Sequence, residues 1–143
     1  MAQIDNCTAS SESNSNWDCH KVYSGPEGRE WEIDSDDNVT PWIKVILRHN
    51  YYLHQLMIKQ SSKLDSRFTQ IDIEFSGGKS IRNQDLRATD DWITIAPLNG
   101  IFSRYVNITR KKSRGPTNIG RIAEIRAFGC PQGTVSENQG FFK

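Results

Sequence analysis

A chain of 143 residues with 18 lysines and arginines against 17 aspartates and glutamates, 36% hydrophobic and 10% aromatic, has the size and balance of one globular domain. These values exclude a highly charged disordered polypeptide and a collagen-like repeat. The longest apolar stretches, Trp42-Ile43 and Val45-Ile46-Leu47, fall far short of the roughly 20 residues that a membrane-spanning helix needs.

No window of the sequence carries the i, i+3, i+4, i+7 apolar spacing of an amphipathic helix, whereas strand signals recur. In chain order they fall at residues 30–34, 41–48, 53–60, 70–76, 91–96, 103–110 and 121–128, separated by segments rich in Gly, Pro, Asn, Asp and Ser. The clearest is Gln70-Ile71-Asp72-Ile73-Glu74-Phe75-Ser76, which alternates polar and apolar and stops at Gly77-Gly78. Seven or eight short strands at this spacing predict an all-β antiparallel sandwich of jelly-roll type. Residues 6–131 would form this domain, and residues 132–143, which lack periodicity, a disordered tail or linker.

Charge is unevenly placed along the chain. Residues 1–42 hold nine acids and two bases, a balance of −7, and residues 43–143 hold 16 bases and eight acids, a balance of +8. Such a split serves either an acidic face docked on a basic one or a basic patch that meets an anionic partner. The densest basic run, Arg110-Lys111-Lys112-Ser113-Arg114, reads as a solvated hairpin or as a grip for phosphate, sulfate or an anionic headgroup. No aromatics interleave it, so nucleic acid is not an expected partner.

Three cysteines, Cys7, Cys19 and Cys130, allow at most one internal disulfide and leave at least one thiol. Their spacing does not suit structural zinc. The sequons Asn6-Cys7-Thr8, Asn38-Val39-Thr40 and Asn107-Ile108-Thr109 favour an extracellular glycoprotein. No apolar signal core follows Met1-Ala2-Gln3, which predicts an excised module or a route without that signal. Asp34-x-Asp36-x-Asn38 imitates the start of an EF-hand loop. It has Val39 where that loop needs Gly and Val45 where it needs Glu, so it reads as a polar turn.

His20, His49 and His54 accompany no nucleophile or metalloprotease motif, and a non-catalytic chain is expected. Cys19 and His20 are neighbours whose side chains would point to opposite faces of an extended segment. Trp17 stands out because its surroundings, Ser11-Glu12-Ser13-Asn14-Ser15-Asn16-Trp17-Asp18, are polar. An aromatic there is either an exposed contact or a cap on the end of the barrel. Trp31, Trp42 and Trp92 lie in or beside strands and read as core or sheet-face residues.

Four features in order resemble the discoidin family, the C-type domains of coagulation factors V and VIII, within the galactose-binding-like superfamily. They are Cys7 with Ala9-Ser10-Ser11 and a Trp-containing loop, Pro41-Trp42-Ile43-Lys44-Val45-Ile46-Leu47, Phe102-Ser103-Arg104-Tyr105-Val106-Asn107-Ile108, and Glu124-Ile125-Arg126-Ala127-Phe128-Gly129-Cys130. The resemblance spans about residues 6–130. It implies that Cys7 bridges Cys130, leaving Cys19 free. It also implies projecting loops at one end of the sandwich that carry the ligand contacts, with Trp17, Arg29, Lys63, Leu64 and Arg67 as candidates. Many sugar-binding relatives hold a structural calcium beside an Ala-x-Asp-Gly element. Here Val22-Tyr23-Ser24-Gly25 occupies that place, and Glu27 and Glu124 are the carboxylates that could contribute to such a site. No cofactor is otherwise required.

The function that follows is lectin-like recognition of a glycan, in cell recognition or adhesion at the cell surface. A cell-surface protein partner and an anionic phospholipid membrane are the alternatives. The chain would serve as one module of a larger protein or as an oligomer, for avidity.

Overall fold

A computed structural model of the chain describes residues 1–24, 29–35 and 40–133. Its strands are β1 (Ile4–Ala9), β2 (Trp31–Glu32), β3 (Trp42–Gln60), β4 (Phe68–Phe75), β5 (Ser80–Asp85), β6 (Trp92–Ile95), β7 (Ile101–Ser113) and β8 (Arg121–Pro131). Three short 3-10 helices lie in the loops, at Ser15–Trp17, Cys19–Val22 and Leu64–Ser66. Hydrogen bonding links the strands in the order β2-β8-β3-β7-β4-β5, with β1 and β6 each also paired to β3, and every paired neighbour is antiparallel. The result is the expected galactose-binding-like β-sandwich.

Strand β3 is the organising element because it serves both parts of the sheet. Its first half, from Trp42, pairs with β1 and β7, and its second half pairs with β8 and β6. The buried positions show how one strand does this. Ile43, Val45, Leu47, Tyr51 and Leu53 face the core on odd numbers, and Leu56, Ile58 and Gln60 face it on even ones. A one-residue slip between Leu53 and Gln55 against β8 inverts the facing, as the period of two requires. A larger irregularity between Ile46 and Tyr51 against β7 covers the gap between the two runs predicted at 41–48 and 53–60. Both runs therefore belong to one strand.

Two strands lack a sequence signal. In β5 the residues Ser-Ile-Arg-Asn-Gln-Asp are mostly exposed, the composition of an edge that must not recruit another chain. In β1, Asn6-Cys7-Thr8 reads as loop, yet Cys7 pairs with Val45 and lies in the core. Ala2 is buried as well and its N–H donates to Ala127 O at 2.8 Å, so the packed domain begins before residue 6. Of the segment expected to be a tail, residues 134–143 lie outside the described residues. The sequon at Asn107 lies inside β7, where Nδ2 donates to Thr109 Oγ1 at 3.1 Å. The sequon at Asn38 and the Asp36 and Asn38 positions of the polar turn lie outside the described residues.

The expected disulfide is corrected. Cys7 bonds Cys19, with a Cα–Cα distance of 6.0 Å, and the free, exposed thiol is Cys130. Cys7 sits opposite Val45 and Cys130 opposite Tyr52, and these two face Val106 and Phe102 on β7, four residues apart, whereas the Cys7–Cys19 pair lies within the span of about 7 Å that a disulfide can bridge. The 3-10 helix Cys19–Val22 instead lies against β1, with Cys19 and Val22 both buried.

No helix among the described residues is long and apolar enough to cross a membrane.

Candidate functional site

Three connecting regions meet at one end of the sandwich: residues 10–24 with 29–35, residues 61–67 and residues 114–120. Their junctions are specific hydrogen bonds. Trp31, fully buried and edge-on to Phe68, donates its Nε1–H to Ser11 O at 2.9 Å. Ser13 N–H donates to Glu32 O, Ile33 N–H to Gly120 O and Arg114 N–H to Arg67 O. Gly115 comes so close to Asp65 that a Cβ would strike the Asp65 carbonyl, so only glycine lets these two loops touch.

A polar network runs through this junction. Arg67 is only 7% exposed, and its Nε donates to Ser61 O at 2.8 Å. Ser61 is fully buried and its hydroxyl donates to Glu30 Oε1 at 2.9 Å. Glu30 is also buried and lies 3.7 Å from Arg121 Nη1, while Arg121 Nε donates to Glu32 Oε2 at 2.6 Å. The Arg121 guanidinium then lies over the Trp17 ring, 4.5 Å from its centroid. The chain thus runs from Arg67 through Ser61 and Glu30 to Arg121 and Trp17, with Glu32 a second carboxylate on Arg121, and its buried charges are Arg67 and Glu30. Buried charges of this kind persist only when paired and hydrogen-bonded.

The residues singled out in the sequence lie in these loops, and of the network they include Trp17 and Arg67. Trp17 is neither an exposed spike nor a core residue: it is half-buried at the end of its 3-10 turn, under Arg121. Arg29 is exposed beside Glu30. Lys63 is exposed and Leu64 is 51% exposed at the tip of the 61–67 loop. Arg67 rises from the buried base of that loop. Glu30, Ser61 and Arg121 were missed. Each sits in or beside a predicted strand, and only pairing of Trp31 with Ile122 and of Glu32 with Arg121 brings residues so distant in sequence together. The charge split offered one clue, because Glu30 and Glu32 come from the acidic segment and Arg121 from the basic one.

Of the calcium pair, Glu27 lies outside the described residues, and Glu124, on β8, accepts from Arg126 Nε at 2.8 Å. Trp42 and Trp92 are half-buried sheet-face residues, and Trp92 carries the guanidinium of Arg126 at 4.5 Å.

The family model for the F5/8 type C domain matches residues 6–125. The chain belongs to that family. No curated protein sequence matches it, but solved structures share the fold of this discoidin-type domain. The family 32 carbohydrate-binding module of Clostridium perfringens NanJ, solved with galactose, is 16% identical with a TM-score of 0.74, over 85% of this chain and 91% of that one. Chitosan-binding module 1 of a Paenibacillus chitosanase/glucanase is 15% identical with a TM-score of 0.73, over 90% and 97% of the two chains. The family 32 module of AlyQ, solved with 4,5-unsaturated mannuronic acid, is 18% identical with a TM-score of 0.71, over 90% and 98%. These likenesses establish the architecture of this discoidin-type domain.

Proposed function

We propose that this domain is a non-catalytic carbohydrate-recognition module that holds a glycan at the loop end of the sandwich. The observation that carries this reading is the polar chain Arg67–Ser61–Glu30–Arg121 at the junction of the three loops. A sugar presents neighbouring hydroxyls that both donate and accept. A guanidinium held rigid from behind by a backbone carbonyl, beside a fixed carboxylate, supplies the complementary fork. Pre-placement of these groups removes the entropy cost of ordering long side chains on binding.

In this reading Arg67 and Glu30 receive hydroxyls, Arg121 positions Glu30 and the Trp17 ring, and Arg29, Lys63 and Leu64 form the rim. Galactose, chitosan and an unsaturated mannuronic acid are the saccharides named for the structural neighbours, which supports the ligand class and leaves its identity open. The Cys7–Cys19 disulfide supports an extracellular or cell-surface setting. There the module would act in recognition or adhesion, as part of a larger protein or an oligomer. No calcium is required in this scheme.

The test is a broad glycan array at physiological salt, with calcium and with a chelator, using wild type, Arg67→Ala and Trp17→Ala. The reading expects a hit that survives chelation and is lost in Arg67→Ala. A blank array in both conditions overturns it in favour of a protein partner. Binding to anionic vesicles that depends on Leu64, with no glycan bound, overturns it in favour of a membrane.

A further inference from the structure

A cleft opens on the flank of the loop end, between β4, the end of β7 and the 114–120 loop. It measures about 640 Å³, inside the range of about 300–1,000 Å³ typical of small-ligand sites. Its lining includes Lys111, Lys112, Thr40, Thr69, Thr117 and Asn118, together with Arg110, and no acidic side chain among the described residues. The basic run noted in the sequence is therefore one wall of a cavity.

Two irregularities shape that wall. Against β7, the register of β4 shifts between Phe68 and Gln70 and again between Gln70 and Ile71, so Thr69 and Lys111 are the inserted residues. Bulges of this kind re-aim side chains. Here they keep consecutive lysines from alternating strictly across the sheet, and Lys111 and Lys112 are both exposed. Lys111 lies 3.7 Å from Asp72, but that carboxylate also faces Arg82 at 3.2 Å. One anion thus serves two cations, and Lys112 has no ion pair among the described residues.

Arg110 adds charge without offering a contact. It is buried, its Nη1 donates to Ile119 O at 2.8 Å and its Nη2 to Thr117 O, and its guanidinium lies over the Phe68 ring. Both acceptors are neutral carbonyls, and no carboxylate lies within ion-pair distance of Arg110 among the described residues. It pins the 114–120 loop as the far wall and leaves a fixed positive charge behind the lining. Burial also lowers the Arg110 pKa from its ordinary value, because desolvation disfavours the charged form.

We propose that this cleft is a second binding site, for the carboxylate or sulfate groups of an acidic saccharide chain, held by Lys111 and Lys112 with hydroxyl and amide contacts from Thr69, Thr117 and Asn118. The saccharide part rests on the glycan reading above; the oxyanion part stands on the cleft alone. Lipid is disfavoured as the occupant because the large exposed apolar residues among those described, Met1, Leu64 and Phe102, lie outside the lining. A lining of hydroxyls, an amide and ammonium groups suits a hydrated, polyhydroxylated anion.

The experiment is calorimetric titration of the intact chain with three probes: a heparin hexasaccharide, inorganic sulfate, and phosphatidylserine vesicles. Wild type, Lys111→Ala/Lys112→Ala and Arg67→Ala are compared, with melting temperatures as a check on folding. The expected result is hexasaccharide binding that weakens tenfold or more in the double lysine variant, falls steeply with added salt and persists in Arg67→Ala. Hexasaccharide binding unchanged by the lysine substitutions overturns the site. Sulfate binding as tightly as the hexasaccharide overturns the saccharide assignment, as does binding of vesicles alone. Loss of the array hit in Arg67→Ala with retained hexasaccharide binding keeps the two sites distinct. A blank array with lysine-dependent hexasaccharide binding refutes the first site and leaves the second.

Discussion

The two ends of the sandwich are closed by different chemistry. At the end opposite the three loops, the closing bonds are neutral or run to backbone: Ser76 N–H to Ser103 Oγ at 2.9 Å, Ser103 Oγ to Tyr105 O at 2.6 Å, Arg104 Nε to Leu47 O at 2.7 Å and Leu98 N–H to His54 O at 2.9 Å. Each gives a backbone group at this end a hydrogen-bond partner. The loop end instead buries one guanidinium, Arg67, and one carboxylate, Glu30, in a network that continues to the partly exposed Arg121 and Glu32. A buried ionic network is not the most stabilising way to fill a given volume, since desolvation offsets most of the Coulombic gain. Among the described residues the two ends thus differ in chemistry, and the glycan reading proposed above rests on the fixed polar groups of the loop end.

Substitutions at the two ends should therefore separate stability from binding. The largest loss of stability is expected for Trp31→Ala, which empties a fully buried site and removes the Nε1 bond to Ser11 O. It should cost about 3–5 kcal/mol in chemical denaturation and abolish glycan binding with it. Next is Cys7→Ser/Cys19→Ser. A closed loop of this length contributes about 3 kcal/mol in the chain-entropy account, and the native protein should yield one alkylated cysteine, Cys130, in non-reducing peptide mapping.

At the opposite end Ser103→Ala should lose about 1–2 kcal/mol, because Ser76 N–H and Tyr105 O lose a buried partner. Glycan affinity should not change. If it does, the division between the ends fails. Leu64→Ala should leave the melting temperature within experimental error, given the exposure of that side chain, and any effect on binding would then report the rim directly.

The smallest effect, visible in acid, concerns the edge of the sheet. Asp72 is held below its ordinary pKa, first by the Asn83 backbone N–H and then by Arg82 and Lys111, against the opposing effect of burial. A carboxylate whose pKa is lowered on folding contributes stability above its unfolded pKa of about 3.9 and loses it as pH falls through the folded value. Asp72→Asn should accordingly be less stable than wild type at neutral pH, and the difference should shrink as pH drops below about 4.

Much of the strand content was legible because a half-buried strand must alternate. The Gln70–Ser76 signal corresponds to β4, and the runs at 103–110 and 121–128 to β7 and β8. Strand β5 was not legible, since an exposed edge has no apolar face to display, and β1 was hidden by Asn6 and Thr8 around a single buried Cys7. The motif order from Cys7 to Cys130 was enough to place the chain in its family. The same resemblance misplaced the disulfide, because sequence order carries no distance.

The sequence by itself determined the all-β class, the family and the loops that carry Trp17, Arg29, Lys63, Leu64 and Arg67. These follow from local pattern and motif order, which do not depend on long-range contacts. Tertiary structure alone decided that Cys19 rather than Cys130 meets Cys7, that Trp17 lies beneath Arg121, and that Glu30 and Ser61 join Arg67. Each of those outcomes depends on which strands become neighbours, and that is settled by burial of the β3 faces against β1, β7 and β8 rather than by any residue's own neighbours in the chain.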